Sequence, residues 1–161
     1  GGQLIRLVID RIDRLPGGES LIIDYKTGSV KPQKWFGERP EEPQLPLYAV
    51  SAGEPPAAVV YAVIRNDGCQ YLGLVNAPGL FPGLPQEGKR YEYLAEAGRD
   101  LPGTTAEWKV TLHRLMAEFL AGEAAVAPLK GRKSCDAAWC ELQPLCRIGE
   151  LEQLQDPGGV R

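Results

Sequence analysis

The sequence has no long hydrophobic run, no recognisable secretion signal and no excess of basic charge. No apolar run in the 161 residues approaches the ~20 that span a bilayer, so we predict no membrane partner. The net charge of −3 is not typical of a protein that holds DNA by general electrostatics, although it leaves room for a local basic groove. With 43% hydrophobic and 24% charged residues, the composition indicates a soluble globular protein.

Histidine and cysteine are also scarce. The only histidine, His113, lies off the apolar stripe of a predicted helix, which favours a surface position. Cys69 is isolated, whereas Cys135, Cys140 and Cys146 fall within twelve residues. In a chain with no secretion signal this spacing favours metal ligands over disulfides.

Hydrophobic periodicity predicts one α/β domain over residues 1–161, with a mixed central sheet flanked by helices. Residues 130–150 form a cysteine-bearing tail. The long amphipathic helix after residue 103 shows a capping box at Thr104 and Glu107, and Gly122 suits its end. The other predicted elements are strands at 3–15 and 20–26 joined as a hairpin, an exposed loop at 28–42, a helix at 43–53, strands at 57–64 and 69–76, and an irregular connection at 77–103 with a short strand near 89–94.

The segment "LIIDYKTGSV" ends an apolar strand with a carboxylate and an amine. Asp24 and Lys26 stand two residues apart and therefore share a face of the strand. A second carboxylate comes from the preceding strand, and the hairpin loop decides which one. A two- or four-residue loop brings Asp13 to that face, whereas a three-residue loop or one β-bulge pairs Asp24 with Asp10.

Two converging carboxylates repel each other unless a cation lies between them. Mg²⁺ and Mn²⁺ prefer such oxygen ligands, and a neighbouring lysine can orient an attacking water and neutralise charge on a phosphate. The chemistry that needs these groups together is metal-assisted phosphodiester hydrolysis. A surface ion pair at the end of a strand is the alternative explanation for the Asp-x-Lys spacing.

The order and spacing of "VIDRID", "LIIDYKTG" and "QLPLYA" resemble the RecB-like branch of the PD-(D/E)XK nuclease superfamily. The tail "CDAAWCELQPLCR" resembles the iron–sulfur segment of AddB-type helicase–nucleases and of probable DNA repair exonucleases. The resemblance covers about residues 5–150. It implies a restriction-endonuclease-like core and a bacterial, cytoplasmic protein with a helicase domain or subunit as partner.

The resemblance also implies roles for individual residues. Asp10 and Asp24 would be the metal-binding and catalytic carboxylates, the main-chain carbonyl of Tyr25 a further ligand, and Lys26 the catalytic lysine. Asp13 is then expected to form a salt bridge, or to contact the metal-binding residues without binding the metal itself.

Gln44 and Tyr48 match the family's QxxxY motif. At i and i+4 they share a helix face that could point at the site or at bound DNA. The family usually carries another His or Glu ligand on a helix before the first strand, which this sequence does not contain. We therefore expect an N-terminally truncated domain that binds metal weakly or lacks activity on its own.

The cysteine tail implies a 4Fe–4S cluster in the full-length protein only. Cys135, Cys140 and Cys146 would supply three thiolates and an upstream cysteine the fourth. The spacing before Cys140 is longer than usual, and Cys69 is a poor substitute because we place it in a turn. There are two alternatives: the three cysteines bind zinc, or they are partly buried thiols that bind no metal. The basic segment at 130–133 could contact phosphate, although a solvated loop is the default expectation.

Our first hypothesis is a Mg²⁺- or Mn²⁺-dependent DNA exonuclease domain of a repair or recombination protein, acting on single strands or duplex ends. The alternative is a non-catalytic DNA-binding or scaffolding module that retains the fold. A CRISPR-associated nuclease of the same superfamily is a third possibility.

Overall fold

The computed structural model describes residues 4–76, 80, 100–137 and 139–155. The chain divides into two compact units, Gly1–Ala117 and Glu118–Arg161. The predicted strand near residues 89–94 and most of the predicted irregular connection lie outside the described residues.

The first unit contains a four-stranded mixed sheet in the order β1-β2-β3-β4. β2 lies antiparallel to β1 and parallel to β3, and β3 lies antiparallel to β4. The parallel pair requires a crossover, which passes through helix α1. This confirms the predicted mixed sheet with flanking helices. The strands are β1 Arg11–Arg14, β2 Ser20–Lys26, β3 Ala58–Arg65 and β4 Gly68–Val75, and α1 is Gln44–Ser51.

The continuous apolar runs of β2 and β3 place these strands at the centre of the sheet, where both of their faces are covered. On one face the core contains Ile22, Val59 and Tyr61, together with residues from α1 and from the helix Leu101–Leu120. On the other face Ile23, Val60 and Ala62 form a second cluster, against which Leu15 and Tyr71 pack. Asp24 is buried on the helix-covered side at the end of β2.

The first strand is shorter than predicted. Within residues 4–14, only Arg11–Arg14 pair with β2. In this register a longer β1 would pair Ile9 with Tyr25, but the Tyr25 amide instead donates to Asp10 Oδ2 at 3.0 Å. Leu7 and Ile9 pack against the helix-side core. The alternating pattern therefore reflects apolar burial beyond the sheet rather than a longer strand.

The segment predicted as an exposed loop contains a 3-10 helix, Pro32–Trp35. Trp35 is fully buried, so the prediction of an exposed loop was wrong at this residue. Its ring packs against Tyr61 with centroids 5.1 Å apart, and against Trp108 at 6.2 Å. Aromatic burial therefore fixes a segment whose glycines, prolines and charges are typical of a loop.

The long helix α2, Leu101–Leu120, begins three residues before the predicted start at Thr104. Thr104 is inside the helix and buried, so the predicted capping box was wrong. Asp100 caps the helix instead, because its Oδ1 accepts a hydrogen bond from the Gly103 amide at 2.6 Å. At the other end Gly122 takes a positive φ of 78°, which confirms it as the terminating glycine.

The second unit contains the end of α2 and the cysteine-bearing tail. Its elements are a short strand β5, Leu129–Gly131, and the helices α3 Arg132–Ala137, α4 Gln143–Cys146 and α5 Ile148–Gln155. Among the described residues, no helix combines the length and apolar character that crossing a bilayer requires.

Candidate active site

The hairpin loop decides which carboxylate faces Asp24. Residues 16–18 form a three-residue loop, closed by hydrogen bonds from the Leu15 amide to the Glu19 carbonyl and from the Gly18 amide to the Leu15 carbonyl, both at 2.9 Å. Gly18 has a φ of 95°, a conformation that favours glycine. The register pairs Arg11 with Ile23, and extended by one position it sets Asp10 opposite Asp24.

Asp13 lies outside this site. Its partner across the hairpin is Leu21, and its carboxylate accepts two hydrogen bonds from the Arg11 guanidinium, at 2.8 and 2.7 Å. This ion pair lowers the pKa of the Asp13 carboxyl. Asp13 is therefore a salt-bridging residue of the hairpin surface.

Asp24 is the buried member of the carboxylate pair. Only 1% of it is exposed, whereas Asp10 is exposed. Burial raises the pKa of the Asp24 carboxyl; the Lys26 ammonium opposes this, and the nearby charge of Asp10 adds to it. The Asp10 carboxylate is thus close enough to affect the ionisation of Asp24.

Lys26 connects Asp24 to helix α1. Its Nζ lies 2.6 Å from Asp24 Oδ2 and donates a hydrogen bond to Gln44 Oε1 at 3.1 Å. Gln44 Nε2 donates to the Tyr48 hydroxyl at 2.8 Å. Tyr48 donates in turn to the Val8 carbonyl at 2.6 Å. The chain of donors orients the Gln44 amide and ties α1 to β2 and to the segment before β1.

The two motif residues of α1 share a helix face, and in this structure that face reaches Lys26. Gln44 is exposed at the start of the helix, and Tyr48 is buried one turn later. Pro46 is accommodated in the first turn, where an amide has no intrahelical partner. The geometry therefore places Gln44 beside the catalytic lysine of the predicted site.

The donor set fits a hard divalent cation. Asp24 Oδ2 is buried, and no donor among the described residues is aligned with it for a hydrogen bond; its contact with Lys26 is an ion pair. A buried carboxylate oxygen with free lone pairs, opposite a second carboxylate, is suited to an ion that takes one or two carboxylates plus water or phosphate oxygens. The described residues contain no group of three or more His, Cys, Asp or Glu side chains that could hold a metal. The carboxylates available to a cation at this point are those of Asp10 and Asp24.

Among the described residues, the histidine and the cysteines belong to no group that could hold a metal. His113 is exposed on α2, as its position off the apolar stripe predicted, and Cys69 is exposed near the start of β4. Cys135, Cys140 and Cys146 are partly buried, and the described part of the chain does not gather them into a metal-binding group. The Cys146 thiol instead contacts the Gln143 carbonyl at 3.5 Å.

Sequence reasoning missed Tyr61 as a neighbour of the site. Tyr61 pairs with Asp24 across the parallel strands, and Lys26 Nζ lies 5.7 Å from the centroid of its ring. Its hydroxyl accepts from Trp35 Nε1 at 2.9 Å and donates to Glu42 Oε2 at 3.2 Å. The available signal was a phenol in the apolar run "AAVVYAVI", since a buried hydroxyl needs a partner.

Comparison with families of known proteins supports this geometry. The family model described as the PD-(D/E)XK nuclease superfamily matches residues 4–147, which include both strands of the hairpin and the α1 motif. Comparison with curated proteins found no match, and comparison with solved structures found none either. The family match covers most of the chain, and we conclude that the chain belongs to the PD-(D/E)XK nuclease superfamily.

Proposed function

We propose that this nuclease domain is a metal-dependent DNA exonuclease that hydrolyses phosphodiester bonds. The observation that carries the proposal is the buried Asp24, with Lys26 at 2.6 Å and the Asp10 carboxylate nearby, one residue before the facing strand β1. A surface ion pair would leave the carboxylate in water, whereas this one is removed from solvent at a cost that a bound cation offsets.

Each residue has a chemical role in the proposed reaction. Asp10, Asp24 and the main-chain carbonyl of Tyr25 would hold Mg²⁺ or Mn²⁺. When bound, such an ion supplies Lewis-acid polarisation of the phosphate and lowers the pKa of water. Lys26 donates hydrogen bonds to the attacking water and to the phosphate oxygens, and its charge offsets the negative charge that develops there. Gln44 accepts a hydrogen bond from the Lys26 ammonium and helps to hold it in place.

Cleavage of labelled DNA tests the proposal directly. The protein is incubated with single-stranded, linear duplex and covalently closed circular DNA, with Mg²⁺, Mn²⁺ or EDTA. We expect metal-dependent cleavage of the substrates with ends, leaving 5′-phosphates, and intact circles. Cleavage of circles would replace the exonuclease proposal with an endonuclease, while the nuclease assignment would stand.

Matched variants of the hairpin test the site. Asp24→Asn and Lys26→Met should each reduce cleavage by about 100-fold or more, the usual effect of removing one transition-state contact. Asp13→Asn, on the same hairpin but outside the site, should cleave normally. Full activity in Asp24→Asn would overturn the assignment. DNA binding without cleavage in Mn²⁺ by the full-length protein would favour the non-catalytic DNA-binding module.

The narrower assignments rest on the resemblance of the sequence motifs. We propose that the domain belongs to the RecB-like branch, within an AddB-type repair or recombination protein of the bacterial cytoplasm that works with a helicase domain or subunit. The 4Fe–4S cluster is proposed for the full-length protein, with Cys135, Cys140 and Cys146 as three ligands. Iron and sulfide analysis of anaerobically purified full-length protein tests it, with Cys140→Ser expected to lower the cluster content and Cys69→Ser expected to leave it unchanged.

A further inference from the structure

Tyr61 stands beside the proposed catalytic pair without belonging to any of the motifs. It is opposite Asp24 in the parallel pairing of β2 and β3, on the same face of the sheet. The Lys26 ammonium lies 5.7 Å from its ring centroid, within the ~6 Å at which a cation is attracted to an aromatic face. Tyr61 is 1% exposed, whereas about a third of the Lys26 side chain is exposed, so water partly screens this attraction.

The Tyr61 ring is held in place by groups from the segment between β2 and α1. The Trp35 indole donates to the Tyr61 hydroxyl at 2.9 Å, and the hydroxyl donates to Glu42 at 3.2 Å. Glu42 is itself fixed by Lys34, whose Nζ lies 2.8 Å from Oε1. Donor and acceptor positions of the phenol are thus both used, which leaves the ring little freedom to rotate away from Lys26.

Lys26 needs such a support because its side chain is long and flexible. The ammonium has three donors, and Asp24 and Gln44 are the partners that the structure shows for it. About a third of the side chain is exposed, and rotamers that turn into solvent compete with the productive one. A fixed aromatic face limits that freedom without offering a competing hydrogen-bond acceptor.

We infer that Tyr61 is a positioning residue for Lys26: its ring, anchored through the hydroxyl by Trp35 and Glu42, holds the ammonium between Asp24 and Gln44. This role rests on the proposed nuclease function, in which Lys26 contacts water and phosphate. The competing explanation is that Tyr61 only fills the core. If Tyr61 positions Lys26, the Lys26 side chain lies against the ring. If Tyr61 only fills the core, the position of Lys26 does not depend on the ring.

The test measures Lys26 by NMR and cleavage by steady-state kinetics in the same variants. Tyr61→Leu removes the ring, Tyr61→Phe keeps the ring and removes the hydroxyl, and Tyr71→Leu makes the same change on the opposite face of the sheet. The Lys26 methylene protons nearest the ammonium should resonate upfield of their unfolded-chain position because of the ring current. Lys26→Met identifies the signal.

We expect the ring-current shift to vanish in Tyr61→Leu and to persist in Tyr61→Phe and Tyr71→Leu. Because an exposed or half-buried cation–π contact is worth a factor of about two to five, kcat should fall by about that factor in Tyr61→Leu, with KM unchanged. Tyr71→Leu should keep the wild-type kcat. Equal losses of kcat in Tyr61→Phe and Tyr61→Leu, with the ring-current shift retained in Tyr61→Phe, would overturn the role of the ring.

The NMR readout separates this inference from the proposed function. If the wild-type protein cleaves no DNA, the ring-current shift still reports whether Tyr61 holds Lys26, and only the catalytic meaning of the contact is lost. If Tyr61→Leu does not fold, the wild-type spectrum decides. A Lys26 signal at its unfolded-chain position in the folded wild-type protein would refute the contact.

Discussion

Asp24 and Lys26 lie on one face of β2, with Oδ2 and Nζ 2.6 Å apart, but they differ sharply in their access to water. The carboxylate is 1% exposed, whereas a third of the lysine side chain is exposed. The pair therefore has a buried negative end and a solvated positive end. In a nuclease the buried end suits metal ligation, and the solvated end can reach an incoming phosphate.

The burial of Asp24 predicts how stability depends on pH. Burial raises the pKa of Asp24 in the folded state, so between the unfolded and folded pKa values the folded chain binds more protons than the unfolded chain. The contribution of Asp24 to stability therefore falls as the pH rises from about 4. Asn does not titrate, and we expect the stability of Asp24→Asn relative to wild type, in metal-free urea unfolding, to grow with pH.

Asp13→Asn is the control for this pH dependence, because the Arg11 guanidinium lowers the pKa of Asp13. Folding favours the ionised form of Asp13. The stability that the Asp13 carboxylate contributes is therefore present above the unfolded pKa of Asp13 and is lost on acidification. Asp13→Asn should therefore become less stable relative to wild type as the pH rises. The same trend in both variants would contradict the assignment of Asp24 as the destabilising charge.

The contact between Gln44 and Lys26 predicts a kinetic effect. Gln44→Ala removes the acceptor for Lys26 and the donor for Tyr48, and we expect kcat for DNA cleavage to fall about tenfold because the ammonium loses its position. Gln33→Ala changes an exposed glutamine in the segment before α1 and should retain wild-type activity. A rise in KM with unchanged kcat would instead indicate that Gln44 contacts the DNA.

Gly18 in the hairpin loop and Gly28 after β2 should respond differently to substitution by alanine. Gly18 has a positive φ of 95°, so Gly18→Ala should lower the free energy of unfolding by about 1 kcal/mol. At Gly28 an added Cβ would meet nothing within 4 Å and the backbone has no positive φ, so Gly28→Ala should be neutral or slightly stabilising. Urea unfolding of both variants measures the difference, and equal effects would argue against strain at residue 18.

The start of α2 predicts a further contrast. Asp100→Ala removes the acceptor for the Gly103 amide and should cost about 1 kcal/mol of stability. The buried Thr104 hydroxyl has no hydrogen-bond partner among the described residues, so Thr104→Val should be neutral or stabilising. A larger loss in Thr104→Val than in Asp100→Ala, measured by thermal unfolding, would restore Thr104 as the cap.

Local patterns predicted the elements whose physics is local. The apolar runs of β2 and β3 predicted buried central strands, and Gly122 predicted the end of α2. The capping box was wrong because the helix starts earlier, where Asp100, four residues upstream of Thr104, accepts a hydrogen bond from the Gly103 amide. The first strand was predicted too long because the apolar residues before Asp10 pack outside the sheet. Periodicity alone cannot distinguish such packing from strand pairing.

The sequence by itself determined the chemistry of the proposed site: a carboxylate and an amine two apart on one strand face, and Gln44 and Tyr48 one helical turn apart. Tertiary structure decided which second carboxylate faces Asp24, because the strand register depends on the length of the hairpin loop. A register shift of one residue would turn every side chain of the strand to the opposite face of the sheet. The burial of Asp24, the contact of Gln44 with Lys26 and the support from Tyr61 were likewise decided only there. Each depends on groups from different strands and helices that come together only when the sheet and its helices have packed.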